Sequence, residues 1–128
     1  MKWWQVGGAV VVLDLTTKFW FASQLNSGIA FGWLATWSSP QVFLLQLTML
    51  GIVIWLGHQF WSLKPWSWVL LIGGAVANLL DRLVSGGVHD WLTLPGTDLK
   101  NNLADWAVAL GVLMIVGEFL YADIARRR

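Results

Sequence analysis

Gly73-Gly74-Ala75-Val76-Ala77-Asn78-Leu79-Leu80-Asp81-Arg82 closes an apolar run that begins near Trp66 and reaches Leu83. A helix that crosses a bilayer needs about 20 predominantly apolar residues. The run is therefore read as a membrane-spanning helix whose last turns carry an amide, a carboxylate and a guanidinium. Asn78, Asp81 and Arg82 stand at i, i+3 and i+4, so they are expected on one helix face. Ionisable groups within a bilayer cost several kcal/mol unless they are paired or hydrated, which marks this cluster as a functional candidate. Arg82 is expected to hold a neighbouring carboxylate through a two-toothed pair, a geometry lysine does not supply. The alternative is an Asp81–Arg82 pair that merely anchors the helix end at the interface.

Three more apolar runs flank it, at about 5–21, 42–56 and 103–121. The first contains Asp14 and Lys18, the second has no charge, and the last has Asp105 near its start and Glu118 near its end. These runs are continuous and lack the apolar/polar alternation of barrel strands. Of the 128 residues, 57% are hydrophobic and 12% charged, whereas soluble domains carry about 25% charged residues. Eleven tryptophans suit the headgroup zone. The expected fold is an all-α integral membrane protein of four transmembrane helices, a single membrane domain over 1–128 with small loop elements outside. The absence of Cys excludes thiol chemistry and Cys-ligated metals. A net charge of +1 argues against a nucleic-acid partner. Lys2 before an apolar run looks like a signal peptide, but Asp14 and Lys18 interrupt the run and no small-x-small cleavage site follows, so it is kept as the first span.

Basic residues orient the spans. Lys2, Lys64 and Arg126 to Arg128 fall on one side of a four-span chain, while the 22–41 connection has no Lys or Arg and the 84–102 connection has only Lys100. Both termini are expected to be cytoplasmic. Asn26, Asn78, Asp81, Arg82, Asp90, Asn102 and Asp105 then gather at the outer end, with Asp14 inside the first span. Glu118 and Asp123 fall at the cytoplasmic end beside the terminal arginines, where a solvated ion-pair role suffices. Gly73 with Ala77, and Ala107 with Gly111, have small-xxx-small spacing and are read as helix-packing positions.

Asp90 and Asp105 are flanked by Trp91 and Trp106, which would hold them at headgroup depth. Two converging carboxylates cannot both ionise, and a pair sharing one proton can activate water and protonate an amide, as aspartic proteases do. From spacing alone, Asp81–Asp105 or Asp14–Asp105 remain equally available as the convergent pair. His89 is read as a hydrated loop residue beside Asp90. A serine triad would have to rest on His89 with Ser27 or Ser85, and His58 lies on the other side, which excludes a two-His metal site.

Four segments together resemble the lipoprotein signal peptidases, or signal peptidase II. They are Asp14-Leu-Thr-Thr-Lys18, Asn26-Ser-Gly-Ile-Ala-Phe-Gly32, the Gly73–Arg82 stretch followed by Gly87-Val-His-Asp90-Trp, and Asn102-Leu-Ala-Asp105. They occur in the family's order over essentially the whole chain. The resemblance implies an aspartic endopeptidase of the bacterial inner membrane, with its active site on the extracytoplasmic side. Such enzymes remove the signal peptide of diacylglyceryl-modified prolipoproteins on the amino side of the lipidated Cys. It implies Asp90 and Asp105 as the catalytic pair and Asp14, Asn26, Asn78, Asp81, Arg82 and Asn102 as supporting or substrate-positioning residues. It further implies contact with membrane lipids, inhibition by globomycin-type cyclic peptides, a monomer, and no metal or cofactor. The chain departs from the family's pattern at Ile29, Trp91 and Asn101 and is shorter than most members.

Overall fold

The computed structural model describes residues 2–21, 23–28, 36–59 and 65–127. Four helices dominate it: α1 (Trp3–Trp20), α2 (Ser39–Gln59), α3 (Pro65–Ser85) and α4 (Leu103–Arg126). Short strands join them: β1 (Gln24–Asn26), β2 (Val88–Asp90), β3 (Leu92–Thr93) and β4 (Lys100–Asn101). Each helix lies within a few residues of its expected span. The largest differences are at both ends of α2 and the end of α4, where the helices run on through polar residues that an apolar criterion leaves out. Among the described residues, three helices, α2, α3 and α4, are long and apolar enough to cross a membrane. The fold is mostly helical and is that of a membrane protein.

α3 is the hub and packs against α1, α2 and α4. The directions of its neighbours follow from named contacts. Gly7 faces Gly73 while Lys18 reaches Asn78, so α1 runs parallel to α3. Gly57 lies against Trp68 and Gln46 against Arg82, so α2 is antiparallel to it. Ser67 donates to Glu118 near the far end of α4, and Gly74 abuts Ala104 near its start, so α4 is also antiparallel. The end of α1, the start of α2, the end of α3 and the start of α4 therefore share one end of the bundle, where the strands lie.

The distribution of polarity is inverted relative to a soluble domain. The buried residues of α1 are Asp14 and Lys18, whereas Phe19, Val84 and Leu113 are among many exposed apolar side chains. A bilayer accounts for this: apolar atoms need no burial against protein there, while polar ones do. Glycines let the backbones close up. A Cβ at Gly111 would stand 2.7 Å from Ser67 O and Leu71 N, and one at Gly73 would stand 3.1 Å from Gly7 O. The packing expected for Gly73 and Gly111 is thus present.

α3 ends at Gly86, whose φ of 74° is the left-handed conformation that closes many helices, and Gly86 N donates to Arg82 O at 2.9 Å. Two residues later the chain enters β2, antiparallel to β1 with Asn26 opposite Val88 and Gln24 opposite Asp90. β3 and β4 form a second antiparallel pair, with Leu92 opposite Asn101. The two strand pairs meet where Trp91 N donates to Asn101 O at 3.0 Å.

Candidate active site

Asn102 builds the centre of the site. It is the N-cap of α4, and its Oδ1 accepts from Asp105 N at 2.9 Å, the interaction that satisfies an otherwise unpaired N–H in a first helical turn. That bond fixes the amide, so its Nδ2 faces away from the helix and donates to Asp90 Oδ1 at 2.7 Å. One fully buried side chain thus touches the strand-borne Asp90 and the helix-borne Asp105 at once.

Two other amides are fixed in the same manner. Asn26 Oδ1 accepts from Gly28 N at 2.9 Å, which turns its Nδ2 to Asp90 Oδ2 at 3.0 Å. Asn78 Oδ1 accepts from Lys18 Nζ at 2.9 Å, which turns its Nδ2 to Asp105 Oδ1 at 2.8 Å. Both oxygens of Asp90 accordingly accept an N–H. Asp105 Oδ2 meets no donor among the described residues. Asp90 is 4% exposed and Asp105 is half-buried. Both line a cavity of about 210 Å³, together with Asn26, Asn78, Gln46 and Arg82. The rest of its wall is apolar, with Met49, Leu50 and Val53 from α2, Leu71 and Ala75 from α3 and Val108 from α4.

The remaining charges form a separate, buried cluster. Lys18 Nζ lies 2.7 Å from Asp14 Oδ2 and 3.2 Å from Asp81 Oδ2. Asp14 Oδ1 also accepts from Ala104 N at 2.8 Å, tying α1 to the first turn of α4. The pairings Asp14–Asp105 and Asp81–Asp105 left open by spacing are therefore not the ones lining the cavity: Asp14 and Asp81 share a cation instead. His89, expected as a hydrated loop residue, is half-exposed but stands in β2 and is bonded to Asp81. Its N donates to Asp81 Oδ2 at 2.7 Å and its Nδ1 lies 2.8 Å from Asp81 Oδ1, because β2 passes directly over the end of α3.

Arg82 corrects another expectation. It does not form a two-toothed pair with a carboxylate, nor an Asp81–Arg82 anchor. Its Nε donates to Gln46 Oε1 at 2.8 Å, Nη1 to Ser27 O at 2.8 Å and Nη2 to Gly28 O at 2.6 Å. Adjacent helical residues point about 100° apart and do not face each other, so Asp81 turns to α1 while Arg82 turns to α2 and the segment after β1. Lys18, Gln46 and His89 were missed as contributors. The i, i+4 spacing of Asp14 and Lys18 was a usable signal for the first; nothing local marked Gln46 or His89. Glu118 likewise takes a bond from Ser67 at 3.0 Å, whereas Asp123 and Arg127 form the exposed pair expected at that end, at 2.9 Å.

Two of the three departures from the family pattern have visible places. Trp91 stacks on Phe21 with ring centroids 4.5 Å apart. Asn101 Oδ1 accepts from Trp106 Nε1 at 3.1 Å. Ile29, with the rest of Ile29 to Gly32 of the outer segment, lies outside the described residues, as does Lys64.

The sequence profile described as "Signal peptidase (SPase) II" matches residues 2–121. The chain belongs to the signal peptidase II family. It is 35% identical over 109 residues to the lipoprotein signal peptidase of Bartonella henselae, covering 80% of this chain and 67% of that protein. It is 28% identical over 145 residues to that of Yersinia pseudotuberculosis, covering 92% and 86%. A bacterial membrane enzyme solved by the in meso method at 2.3 Å superposes with a TM-score of 0.77 at 23% identity, over 97% of this chain and 90% of that one. At that identity the match speaks for the fold of this signal peptidase II member, and its length coverage includes the strand region as well as the helices.

Proposed function

We propose that this chain is an aspartic endopeptidase that removes the signal peptide from diacylglyceryl-modified prolipoproteins, cutting on the amino side of the lipidated Cys, with Asp90 and Asp105 as the catalytic pair. The observation that carries the reading is Asn102, whose two amide atoms bond Asp90 Oδ1 and Asp105 N, with both carboxylates lining one cavity. Asn26, Asn78 and Asn102 support the pair directly, and Arg82 holds the chain that carries Asn26. Asp14 and Asp81 act at a distance, Asp14 by tying α1 to the start of α4 and Asp81 through Lys18.

Hydrogen-bond capacity suggests the division of roles. Asp90 uses both oxygens as acceptors and serves as the carboxylate; Asp105 Oδ2 has no donor among the described residues and is the position for the shared proton. A water between them gives a proton to Asp90 as it attacks the scissile carbonyl carbon, while Asp105 donates its proton to the carbonyl oxygen. Collapse of the tetrahedral intermediate breaks the C–N bond, the proton held by Asp90 goes to the leaving nitrogen, and a hydroxyl of the intermediate returns a proton to Asp105 as the new carboxyl group forms. The products are a signal peptide ending in a carboxylate and a lipoprotein beginning with an amine on its Cys.

The setting suits that substrate. A bond next to a diacylglyceryl group lies at headgroup depth, so its cleavage needs hydrated acids at the end of a bundle and apolar walls below them. In the proposed topology α1 is the fourth span: its 18 residues reach about 27 Å at about 1.5 Å per residue, close to the hydrocarbon thickness of about 30 Å. Both termini lie in the cytoplasm, the site faces outward from a bacterial inner membrane, the protein works as a monomer, and a globomycin-type peptide blocks the cavity. The test is cleavage by the purified chain in detergent of a lipidated prolipoprotein beside its unlipidated control. Only the lipidated form is cut, and Asp90→Asn or Asp105→Asn abolishes cutting while helicity is retained. A folded Asn variant working at the wild-type rate overturns the assignment.

A further inference from the structure

Asp90 and Asn26 line a second cavity as well as the first. This one, of about 300 Å³, lies between the two strand pairs and is lined by Gln24 of β1, by Ser27 just after it, and by Asp98 and Lys100 on the β3–β4 side. Its volume is at the lower edge of the range for ligand pockets, and its character is opposite to that of the first. The first is walled by α2, α3 and α4 with aliphatic side chains; the second is walled by strand and turn residues that are mostly polar. Asp98 and Lys100 are exposed and form no ion pair among the described residues. Hence both charges are available to a ligand.

We propose that this outer cavity is a subsite for the first residues that follow the lipid-bearing cysteine, and that Asp98 and Lys100 read the charge of those residues. The inference rests on the proteolytic reading above. A peptide cut beside Asp90 must leave that carboxylate in two directions. Its signal-peptide side and its acyl chains are apolar and match the aliphatic cavity between the helices. The chain beyond the cysteine is bound for water and is polar; of the two cavities that share Asp90, the polar one between the strand pairs is where it fits. A charged residue there meets a cation on one hand and an anion on the other, so a wild-type chain tolerates either sign, and removing one charge exposes the preference of the other.

The experiment uses the full chain in neutral detergent with lipidated prolipoproteins that differ at the second and third residues after the cysteine. Those positions carry two Lys, two Glu or two Ser, and a control series carries the same changes well downstream. Lys100→Glu leaves an all-acidic cavity and raises the ratio of kcat/KM for the Lys substrate over the Glu substrate by about three-fold, the scale of an exposed ion pair. Asp98→Lys lowers the same ratio by about three-fold, and added salt shrinks both shifts. The downstream series does not respond. Unchanged ratios, shifts of the same sign in both variants, or equal shifts in the downstream series overturn the subsite while leaving the protease reading intact. Failure of the wild-type chain to cut even the Ser substrate overturns the protease reading, and the subsite with it.

Discussion

Gly74→Ala tests whether helix packing sets the catalytic geometry. A Cβ at Gly74 would stand 2.8 Å from Val108 Cγ2 and 3.1 Å from Val108 N, and closer still to the carbonyl oxygen of Ala104. The Val108 methyl alone is 0.6 Å inside the 3.4 Å at which ordinary contact begins. Two of the three neighbours are backbone atoms of α4, so a side-chain rotation does not relieve the clash and the first turns of α4 must retreat from α3. Asp105 follows Ala104 directly and moves with the helix, whereas Asp90 sits on β2, is also held by Asn26 from β1, and is tied to α4 only through the Asn102 side chain and the strand contact beside it. A misplacement of about 1 Å at a reacting centre costs about 100-fold, equivalent to about 2.7 kcal/mol in the barrier.

The effect on stability is smaller. Crowding in a packed interface costs about 1–3 kcal/mol, and replacing a helical Gly by Ala returns about 1 kcal/mol, so the two partly cancel. The expected result is a folded variant with a kcat about 30- to 100-fold lower and a KM little changed, measured as initial rates on the lipidated substrate with helicity followed by circular dichroism. Gly8→Ala and Gly51→Ala, where an added Cβ meets nothing within 4 Å, keep wild-type rates. Wild-type turnover in Gly74→Ala, or a defect confined to KM, would refute the idea that the α3–α4 spacing positions Asp105.

Lys18→Met leaves Asp14 and Asp81 buried without their shared cation, and breaking a buried pair costs about 3–5 kcal/mol. Thermal unfolding in detergent should show a large loss, partly restored in the Lys18→Met/Asp14→Asn double variant because the Asn carbonyl can still accept from Ala104 N. Arg82→Lys keeps the charge but loses the three-way contact to Gln46, Ser27 and Gly28. At about 1.5–3 kcal/mol for a hydrogen bond to a charged group, kcat/KM should fall by at least about tenfold, and an unchanged value would remove Arg82 from the positioning of the outer segment. A catalytic pair that must hold one proton works only between its two titrations, so the rate should fall at alkaline pH as the proton leaves and at acid pH as a second one binds. A profile flat into strong alkali would contradict a shared proton.

The bundle was legible because bilayer-crossing helices are written in length and polarity. Trp66 to Leu83 and Leu103 to Tyr121 fall wholly inside α3 and α4. The gathering of Asn26, Asn78, Asp90, Asn102 and Asp105 at one end was legible for the same reason, since alternating spans bring the end of one and the start of the next to one level. What stayed hidden were contacts whose partners come from another element. Arg82 was expected on a carboxylate because one was adjacent in sequence, but helical geometry turns neighbours apart, and its acceptors are two backbone carbonyls more than fifty positions away and a Gln on α2. His89 looked solvated because strand pairing of 24–26 with 88–90, which brings it over Asp81, leaves little trace in three-residue strands.

The arrangement of basic side chains explains how one bundle end can hold four buried or half-buried aspartates in two different conditions. Lys18 sits between Asp14 and Asp81, and His89 reaches Asp81 from the other side. Arg82, next in sequence to Asp81, directs its N–H groups at neutral oxygens. Among the described residues no cation bonds Asp90 or Asp105; the partners of their carboxylates are the neutral amides of Asn26, Asn78 and Asn102. This segregation matters for the proposed chemistry. A lysine or arginine bridging the pair would favour two ionised carboxylates and leave no acid to protonate the carbonyl oxygen. Neutral amides orient the carboxylates without supplying that charge, so the group free to bridge them is a proton. Lys18 bonds neither member of the pair: it reaches Asp105 through Asn78, at one amide's remove, where its hydrogen bond sets orientation, while its charge is shared by Asp14 and Asp81.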